Sequence, residues 1–131
     1  MKGPRLIVRA IVIEDGRLLV NRRRDRLTLF GGRVEKGELA RDALTRELDE
    51  ELGLKSTIGP LAYLIENRYD GKHELGLYYV VTPLSPFSAR EDHLDPFWFP
   101  LAEVGASSLL PAPLRRELAT RGVPDHPIEV S

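Results

Sequence analysis

Apolar and polar positions alternate in short blocks over the first thirty residues. Arg5–Ile13 is an apolar, β-branched run and Arg17–Asn21 is another, with Glu14-Asp15-Gly16 between them. Asp-Gly tolerates the positive φ angles of a tight turn, so a hairpin is predicted there. Leu27–Phe30 reads as a short strand leading into a glycine-punctuated loop, Leu29 to Glu38. The period then changes. Ala40, Ala43, Leu44, Leu48 and Leu52 recur at helical spacing, and Gly53 just beyond is a natural helix stop. Ile58–Tyr69 and His73–Thr82 read as two strands around an Asp70-Gly71-Lys72 turn. Phe97–Phe99 reads as a short strand and Leu101–Val104 as a turn of helix. Pro113–Arg121 predicts a C-terminal helix, with proline in its first turn and Gly122 past its end. Val123–Ser131 reads as a loosely packed tail. The pattern predicts an α/β fold, a mixed β-sheet clasped between two helices, in a single domain over residues 1–131.

The central helix carries charge where it should be greasy. At about 100° per residue, Glu47 and Glu51 fall inside the apolar stripe and Glu50 sits at its edge. Like charges three or four residues apart repel even on a solvated helix. Half-buried carboxylates without partners cost several kcal/mol or neutralise. A hard divalent cation removes the conflict, because Mg²⁺ takes oxygen ligands and keeps part of its water shell. The competing reading is an acidic rim whose glutamates pair with nearby arginines.

The residues before and after the helix weigh toward the metal. Paired glycines let backbone approach an ion or phosphate closely. The stretch Gly32-x5-Glu38-x7-Arg46-Glu47-Leu48-Asp49-Glu50-Glu51-Leu52-Gly53-Leu54 resembles the signature box of the Nudix hydrolases, Gx5Ex7REUxEExGU with U a bulky aliphatic residue, and every specified position matches. Its fixed residues, each at a frequency of about 5–8%, would coincide in fewer than about one window in 10⁷. The box covers residues 32–54, and Phe30 stands where many members carry proline. The resemblance implies an α/β/α sandwich around a central mixed sheet. It also implies metal-dependent hydrolysis of a nucleoside diphosphate linked to another group, with Mg²⁺ bound and Mn²⁺ as a substitute. By the same resemblance Glu47, Glu50, Glu51 and the Gly32 carbonyl hold the metal, while Glu38 and Arg46 brace the loop against the helix. Arg46 also lies four residues before Glu50, within reach of an ion pair.

Other candidates are looser. The general base is either a box glutamate or an acid on a separate loop. Glu91 and Asp92 in Arg90-Glu91-Asp92-His93 are candidates, and Glu74 is a third. Arg22-Arg23-Arg24-Asp25-Arg26 offers guanidinium forks suited to phosphate oxygens; Arg22 and Arg24 share one side of an extended chain. Tyr69 offers a face for a base, as do Tyr63, Phe30 and Trp98, although most such aromatics belong to a core.

Composition narrows the class further. The 131 residues suffice to bury a substantial core, and a net charge of −1 argues against a broad nucleic-acid or anionic-membrane surface. Cysteine is absent, which excludes thiolate metal sites and the cysteine-dependent isoprenyl diphosphate isomerase chemistry of this fold. No apolar run has transmembrane length and Met1-Lys2-Gly3-Pro4 has no signal-peptide core, so a cytoplasmic location is expected. A small nucleotide is the expected partner, and the family makes a homodimer an option. The alternative function is a nucleotide-binding sensor that has lost hydrolysis, which an intact box disfavours.

Overall fold

A computed structural model describes residues 3–131; the first two residues of the Met1–Pro4 start lie outside it. The first apolar run does not stay in one sheet. Strand β1 (Arg5–Ile11) and strand β2 (Ile13–Glu14) belong to different sheets, and the chain changes allegiance at Val12. The Val12 carbonyl accepts from the Leu19 amide, so the break leaves no orphaned acceptor. Asp15 and Gly16, both at positive φ, turn the chain into β3 (Arg17–Arg23). Arg24, also at positive φ, turns it again into β4 (Arg26–Thr28).

The glycine loop contains a strand that its composition does not announce. Gly31–Arg33 forms β5, antiparallel to β1, with Arg9 opposite Gly31 and Val8 opposite Gly32. Glycine is a poor strand former, so local propensity hides this element. Tertiary geometry explains it. Gly31 has φ 148, and a Cβ there would overlap the Val8 carbonyl oxygen. Only glycine lets β5 lie this tightly on β1.

Helix α1 (Ala40–Leu52) follows, closed by Gly53 in the left-handed conformation. Strands β6 (Ser56–Tyr69) and β7 (Lys72–Pro83) form the long hairpin predicted around Asp70-Gly71, with register shifts on either side of Leu61. Strand β8 (Pro96–Pro100) pairs with β3, a 3₁₀ turn spans Leu101–Ala106, and helix α2 is Ala112–Thr120. The tail is not loose as expected. Ile128–Val130 is strand β9, parallel to β6 from Tyr63 to Ile65, and Ile128 and Val130 pack on the core. Two apolar residues spaced for one face of a strand carried that signal.

The larger sheet runs β5-β1-β7-β6-β9, with β1 and β7 parallel and β6 antiparallel to β7; β2, β3, β4 and β8 form the smaller sheet. Alternation along β1 divides the interior. Val8, Ala10 and Val12 pack with Ala43, Leu44, Leu48 and Leu52 of α1. Ile11 packs on the other side with Leu114 and Leu118 of α2. The result is a mixed sheet between helices, as predicted. Phe30 and Tyr63 are core residues, the latter donating its hydroxyl to the Gly122 carbonyl. Trp98 is part-buried, edge-on to Phe87. Among the described residues, no helix is long and apolar enough to cross a membrane.

Candidate active site

Arg46 organises the mouth of the glycine loop. Its Nε and one Nη grip the Glu38 carboxylate at 2.8 and 3.1 Å, and that Nη also donates to the Arg33 carbonyl at 3.2 Å. The other Nη donates to Glu47 at 2.9 Å and to Glu50 at 3.3 Å. All five N–H donors of the guanidinium therefore have acceptors, a set that a lysine cannot match. Glu38 in turn accepts from the Glu35 amide at 3.0 Å, which ties the loop to the helix through one carboxylate. The Arg46 guanidinium, then the Glu35 amide, hold the Glu38 carboxyl below its ordinary range, and Glu38 raises the pKa of Arg46.

Glu47 and Glu51 are less well compensated. Burial raises the Glu47 pKa against the opposing pull of Arg46. Burial also raises Glu51, helped by the neighbouring Glu47 charge, to about 7. The Glu51 carboxylate accepts the Gly31 amide at 3.1 Å, its single hydrogen bond among the described residues, although the group is mostly enclosed. Gly32 is the cradle for Glu47: a Cβ there would stand 2.5 to 2.7 Å from the carboxylate atoms. Any larger residue would drive Glu47 off the strand. Glu50 lies at the exposed rim.

These residues fit a hard cation by donor chemistry. The donors are all oxygen, and two of the carboxylates sit where burial disfavours their charge, which a divalent ion would reverse. Among the described residues, no three acidic or histidine side chains already converge on one point, because Arg46 draws Glu47 and Glu50 toward itself.

A cavity of about 380 Å³ lies on the α2 side of the sheet. Ile7, Leu29, Ile65 and Pro111 give it apolar walls, and Arg26, Asn67, Tyr69 and Glu74 supply polar ones. Its volume falls at the low end of small-molecule pockets, about 300–1,000 Å³. Glu74 is paired with Arg5, which also donates to the Tyr69 hydroxyl at 3.4 Å. Burial raises the Tyr69 pKa, with Glu74 adding to it.

Of the residues singled out in the sequence, Glu38, Arg46, Glu47 and Glu50 meet in one cluster, Glu51 hangs beside it on Gly31, and Tyr69 lines the cavity. Glu91 is exposed and pairs with His93 at 3.3 Å, yet its charge adds to the upward shift of Glu51. Two arginines stand elsewhere. Arg22 lies over the Phe97 ring at 4.6 Å, and Arg24 occupies the β3–β4 turn; neither lines the cavity, whereas Arg26 does. The side alternation expected of an extended chain is broken by the turn at Arg24, which hands the cavity-facing role to Arg26. Sequence reading missed Arg9. It stands in β1 between Ile7 and Ile11, lines the cavity, and favours ionisation of both Glu47 and Glu51. A charged residue on the buried face of an apolar strand was the available signal.

A family model described as the NUDIX domain matches residues 3–120. The CTP pyrophosphohydrolase of Escherichia coli (strain K12) is 44% identical over 59 residues, which cover 40% of this chain and 44% of that protein. An uncharacterized Nudix hydrolase of Nostoc sp. is 31% identical over 104 residues, covering 70% of this chain and 62% of its own length. The chain thus spans less than two thirds of either relative. The solution structure of the E. coli ORF135 protein superposes with a TM-score of 0.76 at 28% identity, over 89% of this chain and 92% of that one. The family match over residues 3–120 makes this protein a member of the Nudix hydrolase family.

Proposed function

We propose that the protein is a Mg²⁺-dependent hydrolase that cleaves the pyrophosphate linkage of a nucleoside diphosphate joined to another group. The observation that carries this reading is adjacency: the half-buried glutamates of α1 and a cavity of nucleoside scale share a border at Arg9. Substrates of that class have an apolar, planar end and an anionic end, and both kinds of surface are present. Glu47, Glu50 and Glu51, with the Gly32 carbonyl, would hold the metal, and Mn²⁺ would substitute. Bound there, Mg²⁺ would neutralise phosphate oxygens and acidify a water for attack on phosphorus.

The protein's own residues divide the remaining work. Arg46 fixes the direction of Glu47 and Glu50 while its fork on Glu38 keeps the glycine loop docked. A box glutamate that the metal does not engage, or Glu91 on the separate loop, whose charge reaches Glu51, would accept a proton from the attacking water. The apolar walls of the cavity enclose the base, with Tyr69 at its rim.

A panel of nucleoside triphosphates, nucleotide sugars, ADP-ribose and dinucleoside polyphosphates tests the reading, assayed with and without Mg²⁺ against Glu51→Gln. CTP belongs on the panel because of the E. coli relative. Metal-dependent turnover of one class, lost in the variant, is the expected result. A folded protein that binds a nucleotide and turns over none of them would be a sensor instead.

A further inference from the structure

We infer that Arg9 is the residue that grips the substrate's phosphate at the junction of the cavity and the acidic helix. The inference rests on the nucleotide reading above and adds a residue to it. Arg9 lies on the β1 face that also carries Ile7 and Ile11, both buried, so its position is one that ordinarily takes an apolar side chain. A guanidinium there must be compensated or used.

Its compensation is incomplete. Among the described residues, Arg9 makes one side-chain hydrogen bond, from Nη1 to the Leu29 carbonyl at 3.2 Å, and no carboxylate comes within ion-pair range. Neither of its two unpartnered nitrogens, Nε and Nη2, is sealed from solvent, and Arg9 lines the cavity. Arg46 makes the contrast: its donors are consumed by protein acceptors, and it has none left for a ligand. Of the other arginines near this wall, Arg5 is tied to Glu74, and Arg26, which also lines the cavity, meets Asp25 at 3.9 Å from an exposed position. Arg9 is thus a free cation facing the cavity, held in place by one carbonyl.

Its surroundings select the ligand. Glu47 and Glu51 both feel its charge, as does the Tyr78 hydroxyl, so the guanidinium lies between the acidic helix and the cavity wall. An anion bound to Arg9 from the cavity would sit within electrostatic reach of Glu47 and Glu51. A fork of parallel N–H donors suits two oxygens of one phosphate. The apolar walls suit the nucleoside attached to it. Register fixes the arrangement, because Arg9 is opposite Gly31 in the β1–β5 pair, and Gly31 donates to Glu51.

Calorimetric titration separates this role from a structural one. The four common ribonucleoside monophosphates and their unphosphorylated nucleosides would be titrated into wild type, Arg9→Gln and Arg9→Lys, with and without Mg²⁺. Glutamine keeps a polar donor at the position without the charge, and equal melting temperatures would verify the fold. The monophosphate that wild type binds best should weaken about tenfold or more in Arg9→Gln, while its nucleoside changes by less than about twofold and Arg9→Lys falls between. Equal losses for both ligands would make Arg9 a support for cavity shape, and no loss for either would remove it from the ligand altogether. In both cases wild-type binding leaves the nucleotide reading intact. A wild type that binds neither ligand and hydrolyses no panel member overturns both.

Discussion

The chemistry of single carboxylates decides much of how this protein should respond to its medium. Glu51 has a folded-state pKa of about 7 against an ordinary 4.5, raised first by burial and then by Glu47. Its ionised form is therefore disfavoured by folding. The associated stability is fully present below pH 4.5 and is lost as pH rises to about 7. In chelator, Glu51→Gln should melt above wild type at pH 8 by roughly 4 °C or more, and the gap should close near pH 4.5; a constant gap would contradict the burial argument. Gly32→Ala tests the cradle. The added methyl meets the Glu47 carboxylate, so Mg²⁺-dependent turnover should fall by at least about tenfold while the melting temperature shifts little, since a flexible side chain can yield. The box residues were legible in the sequence because they are local: a helix and the loop before it bring them together by spacing alone. Arg9 was not, since an apolar run masks one arginine until β5 and β7 are laid on either side of β1.

Between elements, the connections are made by few groups. Arg46 joins the glycine loop to α1 through Glu38, the Arg33 carbonyl, Glu47 and Glu50. Arg46→Lys keeps the charge and loses the fork. Thermal unfolding should register a loss of about 2 kcal/mol, and activity should fall more steeply than stability. Unchanged kinetics would reduce the fork to ornament. At the other end, β9 covers a stretch of β6 that is otherwise an open edge. Truncation before Ile128 should lower the melting temperature by about 4–8 °C, corresponding to about 1–2 kcal/mol, without changing Mg²⁺ dependence. The hairpins at Asp15-Gly16 and Asp70-Gly71 could be read from turn chemistry. Strands β5 and β9 could not, because each exists only through a partner distant in the chain. The glycines of β5 carry no strand preference, and β9 offers only the Ile128 and Val130 pair, too little to outweigh the proline-flanked tail around it.

At the scale of the molecule, the sheet separates two tasks. One face holds α1, whose C-terminal half bears the acids; the opposite face, under α2, holds the cavity. The cavity is assembled from β1, β4, β6, β7 and the residues entering α2, so no local pattern could have outlined it. The loop after β7 adds a feature to this division. The Ser88 amide donates to the Leu52 carbonyl and the Arg90 amide to the Glu51 carbonyl, and the Arg90 guanidinium lies where a side chain at Gly53 would stand. The segment bearing Glu91 is thus fastened onto the last turn of the very helix that bears Glu47, Glu50 and Glu51. A flap that swings shut over a ligand would have to shed those bonds first. Hydrogen exchange makes the difference measurable: the Ser88 and Arg90 amides should exchange as slowly as those in the last turn of α1, with or without nucleotide. Glu91 and the acidic helix would then travel as one rigid body, and whatever opens to admit substrate must lie elsewhere.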